Sequence, residues 1–336
     1  MRSLYCRRTF AMTTSFPDTP VPSESPRFSR EPGGAAESPV PGMDPVAVAR
    51  WARMASRGEG AWLHDEVGRR MAQRLQWLRQ PPASWLDWEP GQGGWEAHRA
   101  VRSQLENSKV FWLSALSGND VYALQKRVSG DVGLWSRLRG RGGAKATPDT
   151  RVEMVWANMG LHATHQPQAL LRRWHRHLNI DGFLMFSCLG PDSLRELAGL
   201  YRELGWAPSC HAFTDMHDWG DMLVQEGFAA PVMDVESITL SYASVDRLVQ
   251  DLRSLGRNLH VQRCATTRGR RWLAEWRQTL EDRLPRTADG QMQLTFEVVY
   301  GHAFKPAPRV KVAATSALSL TDMRDMLSAA KSSPRD

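Results

Sequence analysis

The sequence contains no run of eighteen apolar residues, which excludes a membrane-spanning helix of ordinary length. Cysteine is scarce. Cys6, Cys188, Cys210 and Cys264 are scattered without paired spacing, which argues against a disulfide framework and a structural zinc site and points to a reducing cytoplasm. The histidines that sit close together, His162 with His165 and His175 with His177, have no clustered thiol or carboxylate beside them. Surface or core positions fit them better than metal ligation. A nucleic-acid-binding module is also missing.

What is present is a globular composition, 42% hydrophobic in 336 residues, enough for a sizeable core. Tryptophan is abundant at 14 residues; most are interspersed with charges, as at Trp51, Trp62, Trp77, Trp174 and Trp276, and read as helix-face anchors. The net charge of +7 is unevenly spread: residues 241–286 hold ten arginines against five acids, and a second basic stretch covers 126–151. Such patches suit an acidic partner, protein or nucleic acid. Few aromatics interleave with the first patch, which disfavours nucleic acid. For any single arginine, a solvated helix face explains as much.

Residues 1–42 are rich in Pro, Ser and Gly and lack apolar periodicity, the composition of a disordered tail. Arg2, Arg7 and Arg8 with no early acid resemble a transit peptide; a true start at Met12 or Met43 accounts for the same facts. One domain is expected over 43–310, followed by a tail over 311–336 with a short helix. Asp44 before Pro45 is a plausible N-cap. Helices are expected over 46–55 and 62–77, a strand over 84–88, a turn, a helix over 95–105 and a strand over 109–116. The Gly- and Arg-rich region 118–150 reads mostly as loop. The alternation resumes with strand 152–157, helix 167–178, a turn at Asp181-Gly182, strand 183–188, and helices 192–205 and 216–226. Strand 232–242 follows, then an arginine-rich helical stretch over 244–284 and a last strand, 291–300. Alternating strands and helices imply a parallel sheet covered on both faces. The final pair of strands breaks the alternation, which an antiparallel edge strand would explain.

In such a sheet the ligand lies at the carboxyl ends of the strands, and the turn after the first strand approaches it closely. Here that turn runs Asp87-Trp88-Glu89-Pro90-Gly91-Gln92-Gly93-Gly94. Taken alone it is equally an ordinary strand-to-helix turn. More specific are the stretches 213–228, 231–236 and 295–306, supported by Trp156, Asn158, residues 184–187 and residues 190–192. On these the chain, from about Asp44 to Pro306, resembles the S-adenosylmethionine (SAM)-dependent methyltransferases that act on malonyl-acyl carrier protein in biotin synthesis. A related mitochondrial branch assists respiratory complex I assembly. The resemblance implies a Rossmann-like class I methyltransferase fold: α/β, a mostly parallel seven-stranded sheet with an antiparallel last strand, and a helical lid at about 244–284.

The resemblance also implies a cofactor site and shows where this chain departs from it. Asp87, Gly91 and Gly93 match the acid and the last two glycines of the family's first motif. Glu89 stands where the first glycine belongs, and its charge is expected to face the carboxylate of the methionine part of SAM. The second strand should end in an acid that holds the ribose hydroxyls; at that place Ser114 offers one hydroxyl. The adenine-side segment has no counterpart in 118–150. Asn158 matches, but Ala163 and Gln166 replace a tryptophan and an acid. The implied acceptor is the free carboxyl of a malonyl thioester. Topology puts Ser187, Gly190 and the helix start at His217 near it, His217 either lining the pocket or capping its helix. Arg253 and Arg257, four apart on one helix face, suit the acceptor carboxylate or an acidic acyl carrier protein. Two functions follow: a SAM-dependent O-methyltransferase, or a catalytically silent relative kept as a binding or assembly protein.

Overall fold

The computed structural model describes Val40 and residues 42–308, except 56–59, 118, 129–142, 265 and 267. The expected tails, 1–42 up to those two residues and 311–336, lie outside the described residues, as does most of the Gly- and Arg-rich segment.

Seven strands form one sheet in the order β3-β2-β1-β4-β5-β7-β6. Their ranges are β1 Ser84–Trp88, β2 Lys109–Leu113, β3 Ala144–Lys145, β4 Val152–Ala157, β5 Leu178–Leu189, β6 Ala229–Tyr242 and β7 Met292–Phe304. β1 to β5 run parallel, with Asp87 beside Trp112 on one side and Trp156 on the other. Such strands are buried on both faces, which explains why 84–88 and 152–157 read as continuous apolar runs. β7 is antiparallel to both β5 and β6. The antiparallel strand is therefore internal, and β6 is the edge. Leu294, Phe296, Val298, Val299 and Tyr300 are all at most 2% exposed, a burial that an edge strand cannot offer. Tyr300 lies mid-strand, its hydroxyl donating to Glu236 Oε2 at 3.1 Å.

The helices are α1 Pro45–Ala55, α2 Trp62–Gln73 with a 3-10 turn Arg74–Trp77, α3 Pro90–Gly93, α4 Trp95–Gln104, α5 Asn119–Val128, α6 Pro167–His177, α7 Arg195–Glu203, α8 Met216–Gln225, α9 Val245–Leu255 and α10 Arg270–Arg283. α5 corrects the expectation of loop after 118: Leu124 and Val128 are buried against the core, so a helix forms despite the glycines around it. Asp181-Gly182 is a bulge within β5 rather than a turn before it. The β4–β5 register shifts there, Asp181 has φ 62°, and a Cβ on Gly182 would lie 2.9 Å from the Glu153 carbonyl oxygen. Among the tryptophans, Trp174 is fully buried, whereas Trp62 and Trp77 are 56% and 78% exposed. The buried stripe of α2 runs through Leu63, Val67 and Met71, and Trp62 falls outside it.

Two contacts join α1 to the segment between α9 and α10. Asp44 caps α1, accepting from the Val46 amide at 2.9 Å. It also pairs with Arg263 at 2.7 Å, which holds its carboxyl below the usual range. Met43, Val48, Trp51, Ala55 and Leu259 form a separate small core, so α1 is bound to the loop that links α9 to α10. Among the described residues no helix is long and apolar enough to cross a membrane.

Candidate functional site

β1 ends at Trp88, and the next residue, Glu89, is left-handed at φ 55°, ψ 59°. The Glu89 amide donates to the Leu113 carbonyl at 2.8 Å, and its own carbonyl accepts from the Gln92 and Gly93 amides. The turn thereby closes into the short α3, with Gly91 and Gly93 buried. α2 packs directly on it. Asp65 Oδ1 caps α4 by accepting from the Glu96 and Ala97 amides at 2.8 and 3.2 Å, and burial raises its carboxyl pKa. Gly68 lies so near Ala97 that no side chain fits between them.

The Glu89 side chain corrects the expectation from sequence. Its carboxylate does not face the glycine turn. It accepts from Ser114 Oγ at 2.7 Å and from the Ala115 amide, just past the end of β2. The left-handed backbone turns the side chain across to the neighbouring strand. The Ser114 hydroxyl is thus committed to positioning Glu89. Arg173, stacked 4.7 Å over Trp88, adds positive potential beside that carboxylate. Asp87 is buried and bonded to His98 Nδ1 at 2.6 Å. It braces β1 against α4.

Asn158 and Ser187 belong to the frame. Ser187 Oγ donates to Asn158 Oδ1 at 2.6 Å and accepts from the Met159 amide at 3.1 Å. Asn158 Nδ2 donates to the carbonyls of His64, at 2.7 Å, and Gly93. The two side chains are 2% and 0% exposed. They tie α2, the glycine turn and the ends of β4 and β5 together, with no surface left for a ligand. Gly190 is held by β7: its amide donates to the Glu297 carbonyl at 2.9 Å, and a Cβ would lie 2.8 Å from Glu297 Cδ. His217 is exposed and bonded to Asp215 at 2.7 Å, where Asp215 caps α8. The capping residue is Asp215, and the His217 ring is bonded to it.

Beyond the carboxyl ends of β4 and β5 lies a cavity of about 350 Å³, roofed by α9 and α10 and lined by His162, Leu189, Tyr201, His211, Arg253 and Arg257 among others. Its lining is chiefly apolar, and Trp51 of α1 reaches it. Arg253 and Arg257 are exposed. Arg257 donates to the carbonyls of Arg253 and Gly256 and lies 5.3 Å over Trp51. Trp276 donates to the Tyr201 hydroxyl at 2.7 Å, which anchors α10 on α7.

Three histidines run between the turn and the cavity, His64 and His211 buried and His162 half-buried; from sequence, His162 was given only a surface or core position. His64 Nδ1 donates to the Gln92 carbonyl at 2.7 Å, which leaves Nε2 a bare acceptor, buried and without a hydrogen-bond partner. His162 Nδ1 accepts from the Leu189 amide at 3.3 Å, so its proton is on Nε2. His211 Nε2 donates to the His162 carbonyl at 2.9 Å. Burial lowers the pKa of all three, and of His162 well below the usual value, with repulsion from His64 and His211 adding to it. Each ring is neutral at neutral pH. The signal that could have found His162 is its place four residues after Asn158, just past a strand end. Among the described residues no cluster of His, Cys, Asp and Glu could hold a metal ion.

The chain is 37% identical to a malonyl-[acyl-carrier protein] O-methyltransferase of Gallionella capsiferriformans over 74% of its own length and 86% of that protein. It is 36% identical to the enzyme of the same name from Laribacter hongkongensis, over 81% and 91%. The corresponding Nitrosospira multiformis protein is 32% identical over 76% and 86%. No protein-family model matches the sequence.

Proposed function

The chain belongs to the family of malonyl-[acyl-carrier protein] O-methyltransferases, and from that premise we propose that it methylates the free carboxyl of a malonyl thioester carried on acyl carrier protein. The observation that carries this is the apolar cavity at the carboxyl end of the sheet with two arginines at its roof.

The residues at the end of β1 fit S-adenosylmethionine. The turn at Gly91 and Gly93 keeps backbone at the end of β1 without bulky side chains. The Glu89 carboxylate at the end of β2 completes the set. Bound there, the cofactor supplies an electrophilic methyl group for in-line displacement by a carboxylate. Such a nucleophile is already ionised at neutral pH, so the chain needs no general base. Its task is alignment and exclusion of water.

Arg253 and Arg257 would hold the acceptor carboxylate by charge-assisted hydrogen bonds, while the neutral His162 lines the same space as an N–H donor. α9 and α10 close the cavity from above. The carrier protein would dock at the lid. Other lid arginines are paired internally: Arg247 with Asp251, Arg277 with Asp246, Arg283 with Glu203 and Arg286 with Glu281. Arg253, Arg257, Arg270 and Arg271 are exposed and have no acidic partner among the described residues. Arg270 and Arg271 open α10, where the helix dipole already disfavours cations. An acidic partner suits that concentration of charge. The setting would be the cytoplasm.

Expression in a biotin auxotroph that lacks its own malonyl-carrier methyltransferase tests this. Growth without biotin is expected; no growth, with the protein present at normal abundance, counts against it.

A further inference from the structure

The structure assigns to Glu89 the ribose-holding role that the end of β2 lacks, an inference that rests on the cofactor site proposed above. In open α/β sheets an acid past the second strand accepts from the ribose hydroxyls. Here the residues that follow β2 are Ser114, Ala115, Leu116 and Ser117, none of them acidic. Yet a carboxylate does stand there, delivered from the adjacent strand. Glu89 reaches it because β1 and β2 are paired neighbours and its amide is bonded to Leu113 at the end of β2.

Three features favour a working group over an accident. The backbone of Glu89 is left-handed, at φ 55°, a conformation that glycine adopts without strain and glutamate does not. Strain of this kind persists only where surrounding structure enforces it. The carboxylate is also fixed before any ligand arrives, with one oxygen on Ser114 Oγ at 2.7 Å and the other on the Ala115 amide. It is held past the end of β2, where a ribose diol would donate to it. Finally, the serine that replaces the acid on β2 is the residue that orients the glutamate. The two departures from the family pattern are thus one linked exchange.

Titration calorimetry of the full chain with S-adenosylhomocysteine and its 2′-deoxy counterpart tests this, without dependence on turnover. Wild type is expected to bind the first at least tenfold tighter than the second. Glu89→Gln keeps the shape and should weaken S-adenosylhomocysteine about tenfold, since bonds to an ionised acceptor are roughly twice as strong as neutral ones. Glu89→Gly should abolish the discrimination between the two ligands while raising the thermal midpoint of the ligand-free protein, because it relieves the left-handed strain. A merely structural glutamate would not move these readouts in opposite directions. If wild type binds and both variants bind and discriminate as it does, the assignment is overturned. If wild type itself shows no heat with S-adenosylhomocysteine at millimolar concentration, the cofactor site falls, and the assignment with it.

Discussion

The bond between Asn158 and Ser187 sits where a ligand contact was expected from sequence, and its removal separates the two roles. Asn158→Ala would strand the Ser187 hydroxyl and take a donor from the His64 and Gly93 carbonyls, all inside a sealed region. A stranded buried polar group costs about 1–3 kcal/mol. The carbonyls keep part of their helical and turn bonding, so the sum is about 3 kcal/mol. Ser187→Ala would strand Asn158 Oδ1 and the Met159 amide, for about 2 kcal/mol on the same scale. It would also loosen Met159, which is itself left-handed at φ 53°. The double variant should lose about 1–2 kcal/mol less than the two singles together, since both break one shared bond. Urea unfolding of the ligand-free chain measures each value, with the slope checked for constancy. A loss under about 1 kcal/mol for Asn158→Ala, combined with a large fall in S-adenosylhomocysteine affinity, would refute the frame role and return Asn158 to the ligand.

Stability should drop on the acid side. Burial keeps His64, His162 and His211 neutral in the folded chain, with pKa values below the ordinary 6.5. The unfolded chain takes up protons first, so their stabilisation is complete above about pH 6.5 and drains as pH falls through the lowered values, by up to about 1.4 kcal/mol per unit for each ring. Thermal midpoints level from pH 7 to 5 would contradict this. Arg253→Ala and Arg257→Ala should each lower kcat/KM for a malonyl thioester by about 10- to 150-fold, the range of a charged hydrogen bond of about 1.5–3 kcal/mol, with cofactor affinity unchanged in calorimetry. Arg270→Glu with Arg271→Glu should raise KM for malonyl-carrier protein and spare malonyl-coenzyme A; equal effects on both would place the carrier elsewhere.

Much of the fold was legible because its strands are buried on both faces and read as apolar runs. β1 and β4 fall where the pattern puts them. α5 was hidden by the glycines and arginines around it, since only Leu124 and Val128 of its ten residues reach full burial. The internal place of β7 depends on pairing between strands far apart in sequence, which no local pattern records. At the site, the glycine turn after β1 could be placed from sequence. The direction of Glu89 could not, because it follows from one backbone angle. Nor could the histidine tautomers, each fixed by a bond to a distant carbonyl or amide.

The most direct measurement is transfer of isotope-labelled methyl from S-adenosylmethionine to malonyl-carrier protein by the purified chain. Label should enter the carrier protein in proportion to time and enzyme, and mild base should release it as methanol, as a carboxyl methyl ester requires. Label no greater than in the enzyme-free control, from protein shown to bind the cofactor, would contradict the account.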